Sequence, residues 1–136
     1  MENYLMPTKT CWMLVDDNVE ILRTMSLALK TLTNLEVQSF SSATTALAAF
    51  QASPEKYELV ITDYEMPEIN GVELCRQMRA VIPHQKIILA TGGGFFTAVS
   101  AQQIGFCALL NKPFPLVALQ SALALAGVGT EMLCAV

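Results

Sequence analysis

The sequence predicts an α/β fold, a three-layer sandwich in which five parallel strands carry helices on both faces. Three observations carry that expectation. Short apolar runs alternate with longer stretches of helical periodicity five times along the chain. Several of the short runs are apolar throughout rather than alternating, as strands covered on both faces are. The length, 136 residues, suits one domain able to bury a sizeable core.

The first unit is a strand over 11–15 and a helix from 19 to about 32, where Ile21, Leu22, Met25, Leu29 and Leu32 recur at helical spacing. The same pairing follows at 36–40 and 42–51, at 59–62 and 71–81, and at 86–90 and 95–103. A fifth pair, 106–110 and 116–126, closes the series. Right-handed crossovers make the flavodoxin-like strand order 2-1-3-4-5 the most economical arrangement. The domain is expected over 10–127, with tails at 1–9 and 128–136.

Composition narrows the function classes. With 53% hydrophobic residues, 15% charged residues and a net charge of −4, the chain reads as a compact globular protein and not as a nonspecific nucleic-acid binder. The first ten residues lack the apolar core of a secretory signal, and the weakly charged stretch 114–130 falls short of a membrane span. Cys11, Cys75, Cys107 and Cys134 show no metal-type spacing and read as reduced thiols, which points to the cytoplasm. His84 follows Pro83 in a polar loop, with no partner for nucleophilic catalysis. The glycines at 92–94 lack the spacing and the Lys-Ser/Thr ending of a phosphate-cradling P-loop.

In open sheets of this kind the functional site lies beyond the C-terminal strand ends, where the strand order reverses. The first predicted strand leads into Asp16 and Asp17, the third into Asp63, the fourth into Thr91 and the fifth into Lys112. Three carboxylates gathered there repel one another unless a cation lies between them, and a hard, oxygen-liganded ion such as Mg2+ fits best. A lysine and a hydroxyl beside such an ion supply the charge and the donors that phosphoryl transfer requires. Asp63 is the natural nucleophile, its carboxylate forming an acyl phosphate. The bland alternatives are an N-cap at Asp17 or Asn18, a surface turn at Lys112-Pro113 and an ordinary strand end at Thr91.

These residues resemble the signature of response-regulator receiver domains: Asp16-Asp17 after an apolar strand, Asp63-Tyr64-Glu65-Met66-Pro67 with Gly71 further on, Thr91, and Lys112-Pro113-Phe114. The likeness covers about residues 10 to 127. It implies that Asp63 is the phosphoacceptor and that Asp17, Asp63 and the backbone carbonyl of Glu65 ligate Mg2+, with Asp16 acting through water. Thr91, Lys112 and the backbone amide of Gly92 then bind the phosphoryl group, and the Lys112-Pro113 peptide is expected to be cis. The donor is a histidine kinase or phosphotransfer protein, and no independent turnover on a separate substrate is expected. No stretch after residue 127 is long enough for an output domain, so signalling through protein contacts is expected. A receiver segment of a longer regulator is the alternative. A degenerate receiver used only for binding, and a small α/β phosphatase or flavin protein, are competing readings. The complete acidic, hydroxyl and lysine set opposes the first, and the missing Asp-x-Asp spacing and phosphate loop oppose the others.

Two features depart from the family pattern. Where receivers carry a Tyr or Phe three residues before the lysine, this chain has Leu109, and Phe106 is expected to face the other way on the strand. Lys112 is also the only charged residue from Ile87 to Thr130, and the last helix is apolar almost all round. A face built from the fourth helix, fifth strand and fifth helix, including Phe95, Phe96, Val99, Leu116 and Leu119, is therefore expected to pack against a second copy or another protein.

Overall fold

The computed structural model describes residues 9–129. The strands are β1 (Cys11–Val15), β2 (Glu36–Phe40), β3 (Tyr57–Thr62), β4 (Ile87–Thr91) and β5 (Ala108–Asn111). Between and after them run the helices α1 (Val19–Lys30), α2 (Ala43–Ala52), α3 (Gly71–Val81), α4 (Ala98–Ile104) and α5 (Leu116–Leu125). All strand pairs are parallel and the order is β2-β1-β3-β4-β5, as the sequence predicts. A 3-10 turn, Pro54–Lys56, leads into β3 and was not expected.

Alternation along the strands divides the core into two layers. Trp12 and Leu14 of β1, with Leu59 and Ile61 of β3, meet Leu22, Met25 and Leu29 of α1 and Leu119, Ala122 and Leu123 of α5. Met13, Val15, Val60 and Leu89 face the other way, toward Phe50 of α2, Leu74 and Met78 of α3, and Ala101 of α4. Burying each large side chain contributes about 1.5–3 kcal/mol. Trp12 is fully buried, and its indole N–H donates to Glu58 at 2.7 Å, which satisfies the one polar atom the ring takes into the core.

The helix ends explain the boundaries. Asn18, not Asp17, caps α1 by accepting from the backbone N–H groups of Glu20 and Ile21, which leaves Asp17 available to the site. The fourth helix starts at Ala98, three residues later than predicted, because Gly94 takes a φ of 70° and Thr97 closes a capping box with Ser100.

Two side-chain expectations need correction. The fifth strand begins only at Ala108, so Phe106 lies outside it and is not bound by strand alternation. It is buried on the α3 and α4 side, the same side as Leu109, at the end of β5 remote from Thr91. Leu119 is not part of an outer face: it is buried against β-strand residues of the α1 side. The tails expected at 1–9 and 128–136 lie outside the described residues except for Lys9, Val128 and Gly129, and so does Cys134. Val128 is buried in the α5 core.

Candidate functional site

The register of the sheet assembles the site. Val15 pairs with Thr62, so the residues that follow them, Asp16 and Asp63, emerge side by side, and the Asp63 N–H donates to the Val15 carbonyl at 3.0 Å. β4 runs two residues past its last pairing with β3, which carries Thr91 up to the same edge. Thr91 pairs with Asn111, and the Lys112 N–H donates to the Thr91 carbonyl at 2.9 Å. Crossover order alone thus brings four segments that are far apart in sequence to one edge.

Carboxylate oxygens of Asp16, Asp17 and Asp63 lie within 4.8 Å of one another. The Lys112 ammonium donates to Asp16 Oδ2 at 2.6 Å and lies 3.5 Å from Asp63 Oδ2. Asp16 Oδ1 accepts from the Asn18 N–H at 2.9 Å, and Asp63 Oδ1 from the Tyr64 N–H at 2.7 Å. Asp17 is exposed, and its carboxylate has no hydrogen bond or ion pair among the described residues. Burial pushes the Asp63 carboxyl above the ordinary carboxylate range and Asp16 adds to the rise, while Lys112 and the Tyr64 N–H oppose it. One ammonium therefore reaches two of the three carboxylates, Asp16 and Asp63, and leaves Asp17 without a cation. Hard oxygen donors with one negative charge unpaired suit a divalent cation with a strong preference for oxygen, and Mg2+ fits that set.

Thr91 is buried, and its hydroxyl accepts from the Gly93 N–H at 3.4 Å. A Cβ on Gly92 would make only ordinary contact with Lys112, so a small alanine side chain fits there. Gly71 is different. Its N–H donates to the Tyr64 carbonyl at 2.8 Å, and a Cβ on it would overlap the Asp63 carbonyl oxygen. Glycine is thus required by close approach of α3 to the Asp63 backbone. Glu65 is exposed at the rim, and the Lys112-Pro113 peptide is cis, as the resemblance implied.

These groups line an open cleft of about 1430 Å3 that continues along α1 past Ile21 and Met25 to Phe114 and Leu116. Sequence reasoning missed one tie at its margin. Glu68, at a φ of 79°, accepts from the Thr44 hydroxyl at 2.8 Å and anchors the loop after Asp63 to the start of α2. Nothing in the local sequence signals that contact, which spans 24 positions. Of the anticipated outer face, Phe95, Val99 and Leu116 are exposed, Phe96 is half-buried, and Val117 and Leu125 of α5 join the exposed set. No helix among the described residues is long and apolar enough to cross a membrane.

A family model described as the response regulator receiver domain matches residues 13–124. The chain is 33% identical over 102 residues to a Haemophilus influenzae transcriptional regulatory protein, the CpxR homolog, covering 75% of this chain and 43% of that protein. It is 38% identical over 102 residues to the Rhizobium meliloti C4-dicarboxylate transport transcriptional regulatory protein DctD, covering 74% of this chain and 22% of that protein. The chain thus spans less than half the length of these curated relatives. Among solved structures, a response regulator receiver domain protein from Clostridium thermocellum superposes with a TM-score of 0.77 at 30% identity, covering 86% of this chain and 93% of that one.

Proposed function

Because the chain belongs to the response regulator receiver domain family, we propose that it is a phosphoacceptor: Asp63 takes a phosphoryl group from a histidine kinase or phosphotransfer protein in a Mg2+-dependent reaction. The observation that carries this reading is the cluster of Asp16, Asp17 and Asp63 within 4.8 Å, with Lys112 bridging Asp16 and Asp63. Asp17, Asp63 and the Glu65 carbonyl would hold the ion, with Asp16 acting through water. When bound, Mg2+ offsets the negative charge that gathers between acceptor and donor.

The chain's own residues then have distinct tasks. A carboxylate oxygen of Asp63 attacks phosphorus while the bond to the donor's imidazole nitrogen breaks, its electron pair staying on that nitrogen. The product is an acyl phosphate on Asp63. The Tyr64 N–H holds the carboxylate in orientation. Lys112 already reaches Asp63 Oδ2, and its ammonium and the Thr91 hydroxyl donate to phosphoryl oxygens, with the Gly92 amide adding a further donor. Attack of water on phosphorus then breaks the bond to the Asp63 oxygen, releases inorganic phosphate and restores the carboxylate, so the protein acts as a signal carrier and turns over no separate substrate.

The changed state is passed on through protein contacts, for which the exposed apolar residues Phe95, Val99, Leu116, Val117 and Leu125 supply a face, either to a second copy or to another protein. Free thiols at Cys11, Cys75 and Cys107 support a cytoplasmic location. Intact mass after incubation with acetyl phosphate and Mg2+ tests the reading. One phosphoryl group is expected on the native chain and none on Asp63→Asn or in excess EDTA. A native chain that gains no mass from acetyl phosphate or from a phosphorylated histidine donor is instead a receiver-shaped binding module.

A further inference from the structure

A receiver needs a part that moves when Asp63 changes, and Leu109, a half-buried aliphatic residue paired with Leu89, has no ring to turn. The structure contains another connection, closed at both ends on the site. From Asp63, Oδ1 accepts from the Tyr64 N–H at 2.7 Å. The Tyr64 ring meets Phe96 edge to face, with centroids 4.9 Å apart and planes at 74°, and lies 6.3 Å from the ring of Phe95. Phe95 in turn lies so close to Gly93 that a Cβ there would stand 2.7 Å from its ring. The Gly93 N–H donates to the Thr91 hydroxyl, which brings the path back to the site.

Resting on the phosphoacceptor reading, we infer that the Tyr64–Phe96 ring pair, in place of a ring on β5, couples the state of Asp63 to α4. Turning the Thr91 hydroxyl toward a phosphoryl group on Asp63 draws the Gly93 amide with it, and the segment 92–94 is all glycine, with Gly94 at a φ of 70°. Phe95 and Phe96 follow directly and lead into Thr97, whose capping box starts α4. That helix has seven residues and buries only Ala101, so few contacts oppose its displacement. It also carries exposed Val99, on the face assigned to protein contacts. Tyr64 and Phe96 are positioning residues in this scheme and touch no reacting atom.

Hydrogen exchange at the amides of α4, with and without beryllofluoride and Mg2+, reads the coupling, while mass gain from acetyl phosphate scores uptake in the same preparations. In the native chain the mimic is expected to change exchange at residues 98–104 by at least about fivefold. Phe96→Ala and the bulk-preserving Phe96→Leu are expected to keep phosphoryl uptake yet reduce that change to less than about twofold, and Phe96→Tyr to restore it. Leu109→Ala should leave the response in place. Uptake with a full α4 response in Phe96→Leu, or loss of the response in Leu109→Ala, overturns the ring-pair coupling alone. Absence of uptake in the native chain overturns the phosphoacceptor reading beneath it.

Discussion

Removing the Lys112 ammonium should destabilise the protein more than any other single change at the site. Its Nζ lies 2.6 Å from Asp16 Oδ2 and 3.5 Å from Asp63 Oδ2, with side-chain exposures of 13%, 3% and 13% for the three residues. At an effective permittivity near 20 these separations give attractions of about 6 and 5 kcal/mol, most of which desolvation cancels in the intact group. Lys112→Met keeps the stem and removes the charge, leaving Asp16 buried against two other carboxylates. Loss of one member of a buried pair costs about 3–5 kcal/mol, a large share of the roughly 5–15 kcal/mol that holds a domain folded. Urea unfolding at neutral pH in EDTA, followed by circular dichroism, should show a lower midpoint with an unchanged slope. Asp16→Asn combined with Lys112→Met should recover most of the loss, because both charges then leave together. A single variant within about 1 kcal/mol of the native protein, or a double variant no more stable than the single, would refute the electrostatic argument.

The remaining predictions concern Asp63, Gly71 and the ion. Because burial raises the Asp63 carboxyl, the folded state binds its proton more readily than the unfolded state. Its contribution is therefore fully present below the ordinary carboxylate value and is lost as pH rises through the raised folded value. Asp63→Asn should flatten the gain in urea midpoint on acidification across that window and be more stable than the native chain at neutral pH. Gly71→Ala forces a Cβ into the Asp63 carbonyl and should cost about 1–3 kcal/mol by chemical denaturation, with slower mass gain from acetyl phosphate. Magnesium at ten times its dissociation constant should stabilise the native chain by about 1.4 kcal/mol in thermal or urea unfolding, and Asp17→Asn should remove most of that effect.

Much of this was legible in the chain itself. Five strand-like runs alternating with helical periods are enough to specify a parallel sheet between helices, because several of the runs are apolar on both faces and each crossover has one permitted hand. Since such sheets place their ligands at the C-terminal strand ends, the positions of Asp16, Asp17, Asp63, Thr91 and Lys112 in the sequence already indicated a shared edge. The resemblance to the receiver signature marked Gly71 as part of a motif, although its reason, contact with the Asp63 carbonyl, lies in the packing of α3.

Tertiary structure alone decided which faces are inside and which charges meet. α5 is apolar nearly all round, so periodicity carries no signal of its inner side; packing on β-strands buried Leu119, Ala122 and Leu123 and left Leu116, Val117 and Leu125 in solvent. Alternation says nothing about a residue just outside a strand, and Phe106 turned to the α3 and α4 side for that reason. The pairing of Lys112 with Asp16 joins residues 96 positions apart, and the Tyr64–Phe96 contact joins two separate βα loops. Distances of that kind follow from strand register and crossover, which couple the whole chain, whereas sequence pattern reports the preferences of each segment by itself.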